Sequence, residues 1–367
     1  MHPLLPIYGV LCLLLLGGLK ARTRAERTVI WFAAWGAVLT VFVAVIFREI
    51  NGDTWRYYMT YLNLRQQPFS TVYERTQDNV LFAYLNWVLG QFGAHPLYLL
   101  APIALFCTMM LAWSLRKMFS SFHTAILLFV YSMYPFFVFY MASGMKQSIA
   151  MALLLQAYIR LFQGARSGWI WLLVAPMFHS GAFLVYPFVI LQKLTFNSTF
   201  GQRRALGGSL LLLAGVTLLS ITGLNETLLL PLQKYLVISD NYQLYFQNAE
   251  DFDYRAGFRP DFALFSLVPL AVGYWLWRNG YPVTSTFTGW WLNFYILLIS
   301  IYHVFSFAPF ADRFAGFGWF IMPLLLMVMV VESRDRRVLQ LFLLGFVVSN
   351  LLLLQFYTGR VLTMGLT

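Results

Sequence analysis

Charge is the scarcest property of this chain. Only 11% of its 367 residues are Asp, Glu, Lys or Arg, against about a quarter in a soluble domain. That shortage excludes a water-soluble globular protein and places the chain in the membrane class. Cysteine is nearly missing as well. Cys12 and Cys107 are the two present, each inside an apolar run, so a disulfide framework and a thiolate metal site are both excluded. No His/Asp/Cys spacing suited to a metal occurs elsewhere. There is no internal repeat, no low-complexity tract and no stretch polar enough for a soluble domain, so the chain reads as a single membrane-embedded domain over 1–367. The first apolar run has no A-x-A-like cleavage signal and is read as a retained helix.

What is abundant is hydrocarbon: 60% of residues are hydrophobic and 19% aromatic. Runs such as VLQLFLLGFVVSNLLLLQF (338–356) are long enough to cross a core ~30 Å thick at ~1.5 Å per residue. They show no strand-like alternation, so the spans are helices and not barrel strands. The pattern predicts helices near 3–19, 28–47, 96–114, 122–142, 146–163, 206–223, 262–278, 288–307, 314–331 and 338–357, with a further candidate at 168–191. The fold class is therefore an all-α polytopic integral membrane protein. We expect about 10–12 transmembrane helices, one broken or re-entrant pair among them, and polar loops near 48–79 and 224–261.

The net charge of +11 does not point to nucleic acid, because the cations sit in short hinges between spans: Lys20 to Arg27, Arg116 and Lys117, Arg160 and Arg166, Lys193, Arg203 and Arg204, Arg278, and Arg334 to Arg337. That is the positive-inside pattern of a multi-pass inner-membrane protein. It makes the N-terminus periplasmic. The short aromatic stretch at 80–93 must then be interfacial or re-entrant. The stretch WIWLLVAPMFHSGAFLVYPFVIL (169–191) keeps every charge cluster on its expected side only if it breaks near His179-Ser180-Gly181, and Pro176, Pro187 and Gly181 suit a break. On this topology eleven of the fourteen acids face outward: Glu49, Asp53, Glu74, Asp78, Glu226, Asp240, Glu250, Asp251, Asp253, Asp261 and Asp312. The charged chemistry faces the periplasm.

Four constellations stand out. REINGDTWRYYMTYL (48–62) crowds Arg48, Glu49, Asp53, Arg56, Tyr57, Tyr58 and Tyr61 at the membrane surface. It reads either as a capped interfacial helix with an aromatic belt, Gly52 turning the chain and Asp53 capping, or as a carbohydrate platform with rings for sugar faces and arginines for phosphate. Lys146 is the one Lys or Arg between Met118 and Ile159. Either it snorkels from a helix end, or it joins the helix N-terminus after Ser143-Gly144 in holding an anion. His179 in MFHSGAF is either satisfied by a neighbouring carbonyl or a general base. Asp312 and Arg313 open a late helix, where Asp suits the dipole and Arg opposes it. Arg48, Arg56, Lys146 and Arg313 all fall at the expected depth of a lipid-linked diphosphate. Cations there would bind such a group and stabilise it as it leaves.

With these motifs in hand, the chain resembles the EpsG family of Wzy-type bacterial polysaccharide polymerases. Gly52-Asp53 and Arg56-Tyr57 follow an early helix, then come SGMKQSIAMALLL, APMFHSGAF and ADRF, with the likeness strongest over 48–191 and 308–323. Lys146 stands where the family usually has Arg, which keeps the charge and loses the bidentate fork. The resemblance implies a GT-C-like membrane glycosyltransferase that joins oligosaccharide repeat units carried on undecaprenyl diphosphate, at the periplasmic face of the inner membrane. It implies no cofactor or metal. The implied partners are the lipid-linked donor and acceptor, membrane lipid, a chain-length co-polymerase and a flippase. The residues implied are Arg48, Arg56, Lys146 and Arg313 for the diphosphates, Asp53 and His179 for the acceptor hydroxyl, and Tyr57, Tyr61 and Gln147 for the glycan. Loop 224–261, with Tyr235, Tyr242, Tyr245 and Phe246, is either a sugar-contacting cover or a solvated acidic loop. The rival readings are a lipid-linked oligosaccharide flippase and an O-antigen ligase. Whether the product is O-antigen, capsule or exopolysaccharide stays open.

Overall fold

Backbone polar groups in a long apolar run must be paired within their own segment, and helix is the result. The computed structural model describes residues 5–18, 24–76, 79–195, 199–232, 256–281, 285–309 and 311–356, and among these there is no strand. Most of loop 224–261, including Tyr235, Tyr242, Tyr245 and Phe246, lies outside the described residues.

The chain groups into two compact units. The first comprises Met1–Ala182 with Gln340–Thr367. Its helices up to Ala182 are α1 (Leu5–Gly18), α2 (Arg24–Ile46), α3 (Gly52–Arg65), α4 (Val72–Thr76), α5 (Val80–Gly90), α6 (Leu97–Met118), α7 (Ser121–Met133), α8 (Pro135–Ala142), α9 (Met145–Phe162) and α10 (Ser167–Phe178). α2 packs on α1, α6 and α7, while α9 packs on α6, α8 and α10. Buried polar side chains tie these helices together. Gln156 on α9 donates to the Ser114 hydroxyl, and Tyr8 donates to the Ser132 carbonyl at 3.0 Å. Polar contacts of this kind stabilise helix pairs in a membrane by ~1 kcal/mol each.

The second unit, Phe183–Leu339, contains helices Tyr186–Thr195, Thr199–Thr222, Pro260–Arg278, Thr286–Val304 and Asp312–Ser333. Helix Asp312–Ser333 is its core, with 94% of its apolar window buried. Trp319 on that helix donates to the Ser266 hydroxyl at 2.8 Å, and Tyr295 donates to the Ser266 carbonyl at 2.8 Å.

Among the described residues, six helices are long and apolar enough to cross a membrane, and α7 with α8 makes a seventh as a bent pair. The expected single helix at 122–142 is that pair, bent by 64°. Pro135 lacks the N–H that would continue the ladder and forces Tyr134 into extended backbone (φ −76°, ψ 113°). The segment 169–191 does break where expected. α10 ends at Phe178, His179 is extended (φ −152°, ψ 108°), and a 3-10 turn follows over Ser180–Val185. α5 has 11 residues, ~16 Å of helix, too short to cross.

The expected loop at 48–79 is instead mostly helical. α3, a 3-10 turn and α4 fold back onto α5. Carbonyls at and just after the end of α5 keep a free lone pair, and the folded-back segment uses them. Tyr61 donates to the Leu89 and Gly93 carbonyls, and Arg65 Nε donates to the Gly90 carbonyl at 3.2 Å. In return, the Trp87 indole donates to the Gln67 carbonyl at 2.8 Å.

Candidate functional site

Several candidate residues of the first unit lie where α3 and α5 meet the start of α9 and the break after α10. α9 starts at Met145 after a two-residue turn, Ser143-Gly144. An added Cβ at Gly144 would sit 2.8 Å from the Tyr140 ring, so a larger residue here would have to displace that ring. Gly144 is the N-cap and offers no side chain to the first N–H groups of α9, which leaves that helix end electropositive. Lys146 lies in the first turn, half-buried. Its ammonium stands 5.4 Å from the Tyr57 ring centre and 5.7 Å from that of Phe82. The two rings meet edge to face at 5.7 Å. Lys146 is therefore placed by α3 and α5 over an aromatic floor and is not simply snorkelling along the lipid.

Gly52 (φ 52°) turns the chain into α3. The N-cap is Asn51, and Asp53 lies inside the first turn. One of the two readings of this segment made Asp53 the cap. It pairs instead with Arg56 three residues on, and the Arg56 side chain is 64% exposed. Arg48 is the opposite case, only 5% exposed. Its guanidinium donates to the Thr54 hydroxyl on α3 and to the Ala142 carbonyl at the end of α8. Thr54 also donates to the Ala142 carbonyl, at 3.1 Å. Arg48 thus pins α3 to the start of the Lys146 turn. No carboxylate pairs with it among the described residues, and its Nε has no hydrogen-bond partner. Burial lowers its pKa to about 10, so it stays cationic at neutral pH. A buried cation without counter-charge is costly unless an anion compensates it.

α5 links this cluster to His179. Its N-cap, Asn79, adopts the left-handed conformation (φ 57°). The Asn79 side-chain oxygen accepts the Ser180 N–H at 2.9 Å, and the Asn79 carbonyl accepts the Phe82 N–H at 2.9 Å. One residue therefore anchors both the break beside His179 and the ring beneath Lys146. One turn further along α5, Asn86 is fully buried, and neither atom of its amide has a hydrogen-bond partner.

Two of the side chains expected at the glycan are buried. Tyr61 is fully buried with its hydroxyl committed to the Leu89 and Gly93 carbonyls. Gln147 is 3% exposed. Both are packed within the protein, whereas Tyr57 is half-buried. Tyr57, Arg56, Asp53, Lys146 and His179 keep exposed or half-buried positions. Arg313 belongs to the second unit, half-buried in the first turn of helix Asp312–Ser333, and is not among the groups gathered in the first. Thr54, Asn79, Phe82 and Asn86 were missed. Only Asn79 carried a local signal, as Asn directly before an apolar run. Among the described residues no three His, Cys, Asp or Glu side chains come together as metal ligands would.

A family model described as the EpsG family matches residues 29–362. No curated protein and no protein of solved structure matches the chain.

Proposed function

The chain belongs to the EpsG family, a Wzy-type polysaccharide polymerase family, and on that premise we propose that it joins oligosaccharide repeat units carried on undecaprenyl diphosphate. The reaction takes place at the periplasmic face of the bacterial inner membrane. The observation that carries this reading is the setting of Lys146, at a helix N-terminus without a side-chain cap, over Tyr57 and Phe82. Such a setting suits an anionic head bearing a sugar: charge for the phosphates, ring faces for the pyranose.

In the proposed step, an acceptor sugar hydroxyl attacks the anomeric carbon of the donor glycan. The bond from that carbon to the diphosphate oxygen breaks, and undecaprenyl diphosphate leaves. Lys146 and Arg56 stabilise the charge that develops on the leaving oxygen. Arg48 adds positive potential from within the protein and holds α3 against the turn. His179, in the extended residue between α10 and the 3-10 turn, takes the hydroxyl proton, and Asp53 orients the acceptor. Arg313 is assigned to the diphosphate of the second lipid-linked unit. A chain-length co-polymerase and a flippase are the expected protein partners. The enzyme needs no nucleotide sugar, because the diphosphate already activates the donor.

Reconstitution with lipid-linked repeat units tests this reading. A ladder of lengthening products supports it. Movement of lipid across the bilayer without lengthening assigns a flippase, and transfer only to a lipid A core assigns a ligase.

A further inference from the structure

A cleft of about 360 Å³ lies within the second unit. One wall is a face of helix Thr199–Thr222, formed by Arg204, Gly208, Ser209 and Leu212, and the facing wall holds Asn293 and Leu297 of helix Thr286–Val304. Residues 204, 208 and 212 fall one turn apart, so the cleft follows the helix for ~12 Å. Only 17% of that helix's apolar window is buried. In a membrane-spanning chain such a face meets lipid. An added Cβ at Gly208 would touch nothing within 4 Å, so the cleft is open along that face.

Asn293 makes the cleft more than a groove of small residues. It is 1% exposed. Its amide nitrogen donates to the Gln192 side-chain oxygen, and Gln192 donates in turn to the Trp290 carbonyl at 3.0 Å. The remaining amide oxygen of Asn293 has no hydrogen-bond partner. A buried acceptor left unpaired is costly, and more so in hydrocarbon, where no water reaches it. The cleft therefore combines an exposed guanidinium, an acceptor that needs a donor, and an apolar lining.

We infer that this cleft binds an anionic phospholipid whose headgroup carries hydroxyls, with phosphate at Arg204, a headgroup hydroxyl donating to Asn293, and an acyl chain along Gly208, Leu212 and Leu297. A polyprenyl phosphate fits less well, since its ionised head offers no hydroxyl donor. A zwitterionic choline lipid lacks both the net charge and the donor. The site is separate in chemistry from the proposed glycan chemistry of the first unit and does not depend on it.

Native mass spectrometry of the delipidated full-length protein tests the inference, with phosphatidylglycerol, phosphatidylcholine and undecaprenyl phosphate as probes. Phosphatidylglycerol is expected to be retained at least ten-fold better than either. Gly208→Phe, which fills the cleft, and Arg204→Gln, which removes the charge from an exposed position, should each cut that retention about ten-fold. Folding is checked by monodisperse elution; if Gly208→Phe does not fold, Arg204→Gln decides. Equal retention of phosphatidylcholine or undecaprenyl phosphate overturns the inference, as does wild-type retention of phosphatidylglycerol in the folded variants.

Discussion

The side-chain oxygen of Asn79 accepts the backbone N–H of Ser180 at 2.9 Å across 101 residues of sequence. This bond holds the break beside His179 to the head of α5, and Phe82, three residues after Asn79, lies under Lys146. Asn79→Ala removes the acceptor and places alanine at positive φ. A loss of stability of ~1–3 kcal/mol is expected, with a fall in polymerisation that exceeds what the lost folded fraction explains. Asn79→Asp keeps the acceptor and should retain both. Chemical unfolding and product ladders on the two variants separate a positioning role from plain destabilisation.

Lys146→Ala should reduce chain elongation by about 100-fold or more, the usual cost of losing one charge-stabilising group, with expression and membrane insertion unchanged. Lys146→Arg should remain active, since it restores a fork suited to phosphate. Normal-length polymer from Lys146→Ala would remove the anion-binding role.

Gly144 and Tyr140 form a testable steric pair. Gly144→Ala puts a methyl 2.8 Å from the ring and should cost ~1–3 kcal/mol. Combining it with Tyr140→Ala, which removes that ring atom, should cost less than the sum of the two single changes. A purely additive double mutant would show that the contact does not set the turn.

Arg48→Met removes a buried cation that has no carboxylate partner, while the Thr54 to Ala142 bond persists. Folding stability should change by less than ~2 kcal/mol, yet elongation should fall sharply. If stability collapses instead, Arg48 is a structural tie alone.

Asn86→Leu gives the opposite pair of signs. Removing two unpaired buried polar atoms should stabilise the fold by ~1–3 kcal/mol. Reduced polymerisation in a more stable protein would identify Asn86 as a functional polar group on α5, whereas unchanged polymerisation would limit it to packing.

The helical architecture was legible because the chain is so apolar. Expected and observed helices agree closely at 262–278 and Pro260–Arg278, or at 146–163 and Met145–Phe162. The break at His179 was also legible, because charge placement on either side of 169–191 demanded it. Local apolar pattern could not reveal the Pro135 bend, since the residues on both sides of it read as one continuous run. The site was legible at Lys146 and at the α3 segment, where charges and rings cluster in sequence. Tyr57 and Tyr61 looked equivalent, four apart on one helix face. They differ because the Leu89 and Gly93 carbonyls engage Tyr61, while Tyr57 lies beside Phe82. No periodicity encodes the meeting of Asn79 with Ser180, or of Arg48 with Ala142, because each joins segments about a hundred residues apart.

The bonds that fold α3 back onto α5 have a consequence for how the site assembles. They join residues only 20 to 32 apart, from Gln67 and Trp87 to Tyr61 and Gly93. Arg48 and Ala142 are 94 apart, and Asn79 and Ser180 are 101 apart. Short closures form first because they lose less chain entropy. The Tyr57–Phe82 surface is thus expected to arise as a prefabricated piece, while α6 to α10 are still being inserted. The cation at the start of α9 would join it next, and the histidine only once α10 is in place. Hydrogen exchange during refolding should then protect the Leu89 to Gly93 region before Ser180, with the competent site appearing as the last event of the first unit's folding.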